Sequence, residues 1–249
     1  MFPWPGGKTR LAPHLMPLIA ERPHQCYVEA FAGSAAMLFE REPAPVEVIN
    51  DVNGELVRLY RVVANHLDEF MRQLQWVLVS RETFVGAEAQ SVDTLTDIQR
   101  AARFYYLQKL SFGGKVEGRA LGVGPTAAKR FSRDRVLRTL TAAHRRLERV
   151  VVENLPWQRC VGKYDRAETL FFLDPPYWQT TGYDSEFGLD QYQQLADTMA
   201  SLKGRAILTI NDCPPMRALF DRFDRISVPI RYTVGGGLGA SRTELIYTT

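Results

Sequence analysis

Apolar residues recur along this chain in two periods, and the alternation between them predicts the fold. Short apolar runs of the kind that fill buried strands stand at residues 26–30, 46–49, 150–155, 169–173 and 205–212. Between them, apolar positions three and four apart predict helices. One carries Leu11, Leu15, Leu18 and Ile19, and a longer one over 56–79 carries Leu59, Val62, Val63, Leu67, Phe70 and Leu74. Further helical patterns cover 91–110, 131–149, 190–202 and 215–223. Strands alternating with helices predict an α/β sheet. Two last strands, 226–234 and 244–248 around Gly235-Gly-Gly237, add an antiparallel hairpin.

Spacing adds a second feature. About 145 residues separate Val28 in the first strand from Asp174 after the fourth, where three strand-helix units of ~30 residues would need only ~90. The excess predicts a mostly helical insert at 55–145, carried by a catalytic unit made of 1–54 and 146–249.

Charge singles out the same region. Residues 100–150 hold 13 Lys and Arg against Glu117, Asp134 and Glu148, whereas the rest carries 18 basic and 25 acidic residues. A basic segment in an otherwise acidic chain favours a polyanion partner, because Lys and Arg contacts to phosphate dominate nucleic-acid affinity. An exposed helix face is the plainer reading of Arg133, Arg135, Arg138, Arg145, Arg146 and Arg149. Just before them, Ser111 to Pro125 has five glycines in fifteen residues, a basic loop suited to following a nucleic-acid backbone. Phe112, Lys115 and Arg119 within it, and Lys129 and Arg130 just beyond it, are the candidate nucleic-acid (DNA) contacts.

Other classes recede. No run of 18 apolar residues occurs, and Met-Phe-Pro-Trp-Pro-Gly-Gly-Lys is not a signal peptide, so a cytoplasmic location is expected. Cys26, Cys160 and Cys213 are odd in number, widely spaced and without a Cys-x-x-Cys pair, which argues against a disulfide framework and a zinc site.

Candidate chemistry concentrates where the run Thr169-Leu-Phe-Phe-Leu173 stops at Asp174-Pro-Pro-Tyr-Trp178. The prolines cannot donate to a sheet ladder, so Asp174 is expected at the carboxyl end of its strand, where open α/β sheets bind ligands. An ionised Asp174 and two prolines offer acceptors and no donors. A matching ligand brings two donors, such as an exocyclic amine, on a flat ring that stacks on Tyr177. Taken alone, Asp-Pro-Pro is equally a turn.

Upstream, Trp4-Pro-Gly-Gly-Lys8 precedes a helix, and its glycines permit close approach of backbone to a ligand. It lacks the first glycine of a phosphate loop, since Phe2 occupies that position. The first strand runs into Phe31-Ala-Gly-Ser34 and a helix, a nucleotide-type unit without the glycines of a dinucleotide fingerprint, which disfavours NAD. The second strand ends at Asn50-Asp51, an acid placed for ribose hydroxyls or, more plainly, a helix cap.

Together these motifs resemble the Dam-like DNA adenine N6-methyltransferases nearly end to end. Trp4-Pro-Gly-Gly-Lys8 is similar to their amino-terminal cofactor motif, Val28-Glu-Ala-Phe-Ala-Gly33 to the cofactor loop, Ile49-Asn-Asp51 to the ribose-side acid, and Asp174-Pro-Pro-Tyr177 to the catalytic motif. The resemblance implies a Rossmann-like class I methyltransferase sheet with a terminal antiparallel hairpin and an inserted, mostly helical target-recognition region. It implies S-adenosylmethionine along Trp4, Lys8, Phe31, Gly33, Asp51 and Asp174. It also implies catalysis by Asp174, Pro175 and Tyr177 on an adenine flipped from double-stranded DNA, with no metal required. The 111–125 loop does not match the hairpin of enzymes that read GATC, so no target sequence follows. Cytosine N4 transfer uses the same acceptor corner, and a silent DNA-binding protein would keep the basic insert; both stay open. A stand-alone modification enzyme, monomeric, is expected.

Overall fold

The computed structural model describes residues 1–116, 118–122, 131–180, 187–232 and 240–249. The strands are β1 (Cys26–Glu29), β2 (Val46–Asn50), β3 (Val150–Glu153), β4 (Thr169–Leu173), β5 (Arg205–Asn211), β6 (Asp224–Tyr232) and β7 (Ala240–Thr248). The helices are α1 (Ala12–Ala20), α2 (Ala36–Glu40), α3 (Gly54–Asn65), α4 (Leu67–Leu74), α5 (Arg81–Ala89) and α6 (Asp97–Leu110), followed by α7 (Arg133–Leu147), α8 (Trp157–Tyr164), α9 (Leu189–Ser201) and α10 (Pro214–Leu219). Among the described residues the strands form one sheet in the order β3-β2-β1-β4-β5-β7-β6.

The first five strands are parallel, and β7 runs antiparallel between β5 and β6. This is the α/β sheet with closing hairpin that the periodicity predicts. β4 is buried at every position, as expected for a central strand of a parallel sheet covered on both faces. Tyr27, Leu170, Phe172 and Ile207 face α1, with Leu11, Leu15 and Ile19. Val28, Phe171, Leu173 and Leu208 face α8, α9 and α10, with Cys160, Leu195 and Met216. Alternation of side chains along each strand makes this division.

A third core lies in the helical layer. Leu59, Tyr60 and Val63 of α3, Phe70 of α4, Ala101 and Tyr105 of α6 and Leu140 of α7 pack together, and Ile49 of β2 joins them. The expected single helix over 56–79 is therefore two. His66 leaves helical geometry (φ −136°, ψ 38°), its amide closing α3 on the Val62 carbonyl and its carbonyl receiving the Phe70 amide that opens α4. The apolar stripe continues across the break because both helices bury it in one core, so periodicity alone could not see the bend. The helix expected over 91–110 starts later, at Thr96, whose hydroxyl and Gln99 form a capping box. α5 and α8 were not foreseen; at nine and eight residues they are too short to carry a clear period.

α7 buries Val136, Leu140, Ala143 and Leu147, and Arg133, Arg135, Arg138, Arg145 and Arg149 are exposed. Arg146 departs from that face: with Arg41 it ion-pairs the buried Glu47. Gly235-Gly-Gly237 lies outside the described residues.

Candidate active site

After β1 the chain moves outward to β2 and, through the helical layer, to β3, then returns by way of α8 to place β4 on the other side of β1. The reversal leaves a crevice at the carboxyl ends of β1 and β4, the general ligand position of open α/β sheets. A cavity of about 510 Å³ occupies it, lined among others by Trp4, Lys8, Phe31, Gly33, Asp51 and Asp174. All six residues expected to hold a cofactor meet there.

Asp174 is the first residue beyond β4, where the strand stops at Pro175 and Pro176. Its Oδ1 receives Lys8 Nζ at 2.7 Å and the Thr209 hydroxyl at 2.8 Å. Oδ2 has no partner among the described residues. Burial raises the Asp174 pKa above the ordinary carboxylate value, and Lys8, then Thr209, oppose the rise. Lys8 itself is only 3% exposed and also lies 4.5 Å from the centre of the Tyr177 ring. The lysine thus reaches from the amino-terminal segment to both polar members of the corner.

Three elements far along the chain fix the turn. Asn211 accepts from the Trp178 amide at 2.9 Å and donates to the Trp178 carbonyl at 3.1 Å. The Tyr192 hydroxyl donates to the Pro176 carbonyl. The Tyr177 hydroxyl donates to Glu244 at 2.5 Å. Thr209 and Asn211 are two apart on β5 and so share a face, and Glu244 of β7 stands opposite Asn211. One patch of sheet therefore presents three polar side chains to Asp174, Tyr177 and Trp178. None of the three was picked out from sequence; the available signal was polar residues inside apolar strands, Thr209 and Asn211 in one and Glu244 ahead of Leu-Ile-Tyr in another.

The opposite wall is backbone and aromatic. Gly33 has φ +49°, and a Cβ there would lie 2.7 Å from two atoms of the Trp4 indole, so the residue that meets Trp4 must be glycine. Trp4 is held in turn: Gly7 donates to its carbonyl at 3.1 Å, and Phe2 is buried against Tyr60 and Tyr105. The amino-terminal segment is thus packed, with Gln108 donating to the Pro3 carbonyl at 3.0 Å and also to Gly114. Phe31 lies 6.0 Å from Trp157 and 5.7 Å from Phe187, two cavity aromatics that spacing did not mark.

Asp51 lines the cavity, but its carboxylate already accepts the Gly33 and Asn53 amides, each at 2.9 Å. Burial raises its pKa and these amides counter the rise. The cap of α3 is Asn53, which accepts from Leu56 at 3.0 Å. Asp51 instead ties the β1–α2 turn to the end of β2, with lone pairs remaining for a ligand. Glu29, a cavity residue inside the Val28–Gly33 motif but not among the expected site residues, is 1% exposed and accepts from Tyr27 at 3.2 Å. Burial pushes it up to about 8, opposed by the Leu38 amide and Tyr27 and assisted by Asp174.

The segment after α6 reaches the rim. Gly114 (φ +71°) packs on Pro3 and Trp4 backbone, and Val116 lines the cavity. Phe112, 46% exposed, and Lys115 face outward, while Arg119 sits 5.7 Å from the Phe104 ring. Lys129 and Arg130 lie outside the described residues. Among those described, no helix is long and apolar enough to cross a membrane.

A model of the family described as D12 class N6 adenine-specific DNA methyltransferase matches residues 4–234. Type II methyltransferase M1.LlaDCHI of Lactococcus lactis subsp. cremoris is 25% identical, over 98% of this chain and 93% of its own. Type II methyltransferase M.CviBI of Paramecium bursaria Chlorella virus NC1A is 26% identical, over 88% and 85%. Retron Ec67 DNA adenine methylase of Escherichia coli is 23% identical, over 98% and 88%.

Proposed function

The chain belongs to the D12 class of N6 adenine-specific DNA methyltransferases, and from that membership we propose how its residues divide the work. It uses S-adenosylmethionine to methylate the adenine amine in DNA. The family match settles for adenine the choice that Asp-Pro-Pro-Tyr left open with cytosine.

The cavity suits the donor. Aromatic walls at Trp4, Phe31 and Trp157 match a flat purine, Asp51 retains acceptor capacity for ribose hydroxyls, and Asp51 and Asp174 outnumber the single lysine of the lining, in keeping with a cationic ligand. When bound, S-adenosylmethionine supplies an electrophilic methyl group on a sulfonium. All other requirements fall on the chain. An adenine amine in a duplex is out of reach of a pocket, so the base is flipped out. Tyr177 stacks on it, and Asp174 Oδ2 with the Pro175 carbonyl accept the two amine hydrogens, leaving the nitrogen lone pair free to attack. Lys8 and Thr209, both on Oδ1, keep that carboxylate ionised and turned to the base. Positioning of this kind is worth ~7 kcal/mol or more.

The same proposal assigns 1–54 and 146–249 to catalysis and 55–145 to target recognition. Phe112, Lys115, Arg119, Lys129 and Arg130 contact double-stranded DNA. The protein acts as a cytoplasmic monomer and, in keeping with relatives named Type II methyltransferases, as a modification enzyme. The observation that carries the reading is the Lys8–Asp174 pair, which joins the amino-terminal segment to the catalytic corner across the cavity. Calorimetry tests the cofactor wall. Gly33→Ala pushes a methyl into Trp4, and S-adenosylmethionine affinity is expected to fall by roughly tenfold or more, the cost of a steric conflict of 1–3 kcal/mol. Undiminished affinity would remove Trp4 and Gly33 from the site.

A further inference from the structure

Glu244 is 1% exposed, and the one hydrogen bond of its carboxylate among the described residues is the 2.5 Å bond from the Tyr177 hydroxyl. Its other oxygen, Oε1, is buried without a partner there. A carboxyl so placed is a poor choice for the stability of β7, because burying a polar group with an unsatisfied atom costs free energy that an apolar residue would not. Its neighbours Leu245, Ile246 and Tyr247 are all fully buried, so a leucine would fit the strand's own pattern. Burial raises the Glu244 pKa, helped by Asp174 and opposed by Lys8 and Tyr177. In either protonation state one oxygen remains to accept the phenol proton.

What the carboxyl does is visible in its register. Opposite it on β5, Asn211 holds both backbone groups of Trp178, and Glu244 holds the side chain of the residue before. The backbone of the turn is already fixed by Asn211, by Tyr192 on Pro176 and by the Thr180 amide on the Tyr177 carbonyl at 3.1 Å. None of those bonds sets the angle of the Tyr177 ring. A phenol pinned at its hydroxyl and flanked by Lys8 on its face has a single orientation, which is what a stacking surface for a transient guest requires.

We propose that Glu244 is a positioning residue: through its hydrogen bond to the Tyr177 hydroxyl it fixes the plane of the ring on which the flipped adenine stacks. The assignment rests on the stacking role given to Tyr177 above. It predicts that the rate of the methyl-transfer step depends on the bond between the two residues, while cofactor binding does not.

The test uses single-turnover transfer of labelled methyl groups to unmethylated plasmid DNA, at saturating DNA and S-adenosylmethionine, with cofactor affinity measured by calorimetry. Tyr177→Phe removes the donor, Glu244→Leu removes the acceptor with little change in volume, and Glu244→Gln keeps an acceptor. Loss of a hydrogen bond to a charged or buried group predicts that Tyr177→Phe and Glu244→Leu each slow transfer by roughly tenfold. The double variant is expected to be no slower than either, since both remove one interaction, and Glu244→Gln to recover most of the rate. Cofactor affinity should stay within about twofold of wild type in all four, as for any interaction made only with the base.

Tyr177→Ala separates two failures. If it is slow while Tyr177→Phe transfers at the wild-type rate, stacking stands and the role of Glu244 falls. If Tyr177→Ala is also as fast as wild type, the stacking reading itself is wrong. Multiplicative losses in the double variant, or a Glu244→Leu defect that appears mainly as weakened cofactor binding, would show that Glu244 acts on the fold and not on the ring.

Discussion

The role proposed for Asp174, accepting an amine hydrogen, is best served by its ionised form, and the influences on its ionisation oppose one another. Burial raises its pKa; Lys8, the largest opposing influence, lowers it. Replacing Lys8 by methionine removes the opposition, so the pKa rises and a larger fraction of enzyme is protonated at a given pH. The acid limb of the pH–rate profile is expected to move to higher pH in Lys8→Met. A limb that stays in place would mean that Lys8 does not control the ionisation of Asp174.

Glu29 makes an opposite demand on stability. Its pKa rises from 4.5 to about 8 on folding, so between those values the folded protein binds more protons than the unfolded one. Stability therefore falls as pH climbs through that window, by an amount on the order of a few kcal/mol at its upper end. Glu29→Gln keeps an acceptor for Tyr27 and the Leu38 amide without a group to ionise. Denaturant titrations at pH 5 and pH 8 should show a smaller loss of stability in the variant than in wild type; equal losses would contradict burial as the cause. Neither residue's electrostatics could be read from sequence. Asp174 announced itself through two prolines, but Glu29 reads as one more residue of a four-residue strand, and its burial depends on α2 covering it.

Elements were legible to different degrees for physical reasons. β4 shows its place because both its faces are covered, leaving an uninterrupted apolar run. α7 shows its direction because Val136, Leu140, Ala143 and Leu147 recur on one face. Where two short helices bury a common stripe, as α3 and α4 do, the period runs on and hides the joint at His66. The least legible part of the site comes from β5 and β7: Thr209, Asn211 and Glu244 converge only when an antiparallel strand is laid beside a parallel one. In contrast, the loop after α6 declared itself by glycines and charge, and the structure sets Gly114 against the Pro3–Trp4 backbone with Lys115 exposed beside it. If Lys115 meets a phosphate, Lys115→Ala should lower the slope of log affinity against log salt by about 0.9, with similar losses on unrelated sequences. An unchanged slope would place the DNA away from this loop.

Across the whole molecule, the sheet and the helical layer are joined by more than chain connectivity. Ile49 of the sheet lies in the core of the helical layer, Gln108 of α6 bonds Pro3 and Gly114, and Val116 lines the same cavity as Asp174. The loop proposed to meet DNA and the cavity proposed for the methyl donor thus share a wall, and on that proposal a base drawn out of the duplex near the loop enters beside the acceptor corner. Asp174 is proposed to receive an adenine amine there. Incubating unmethylated plasmid DNA with the protein and S-adenosylmethionine, digesting it to nucleosides and analysing them by mass spectrometry tests this directly. The wild type is expected to yield N6-methyladenine as the modified base, and Asp174→Ala, with unchanged thermal unfolding, at least ~1,000-fold less, as for loss of positioning and electrostatic contributions together. N4-methylcytosine in the wild-type digest, or N6-methyladenine at wild-type levels from Asp174→Ala, would contradict it.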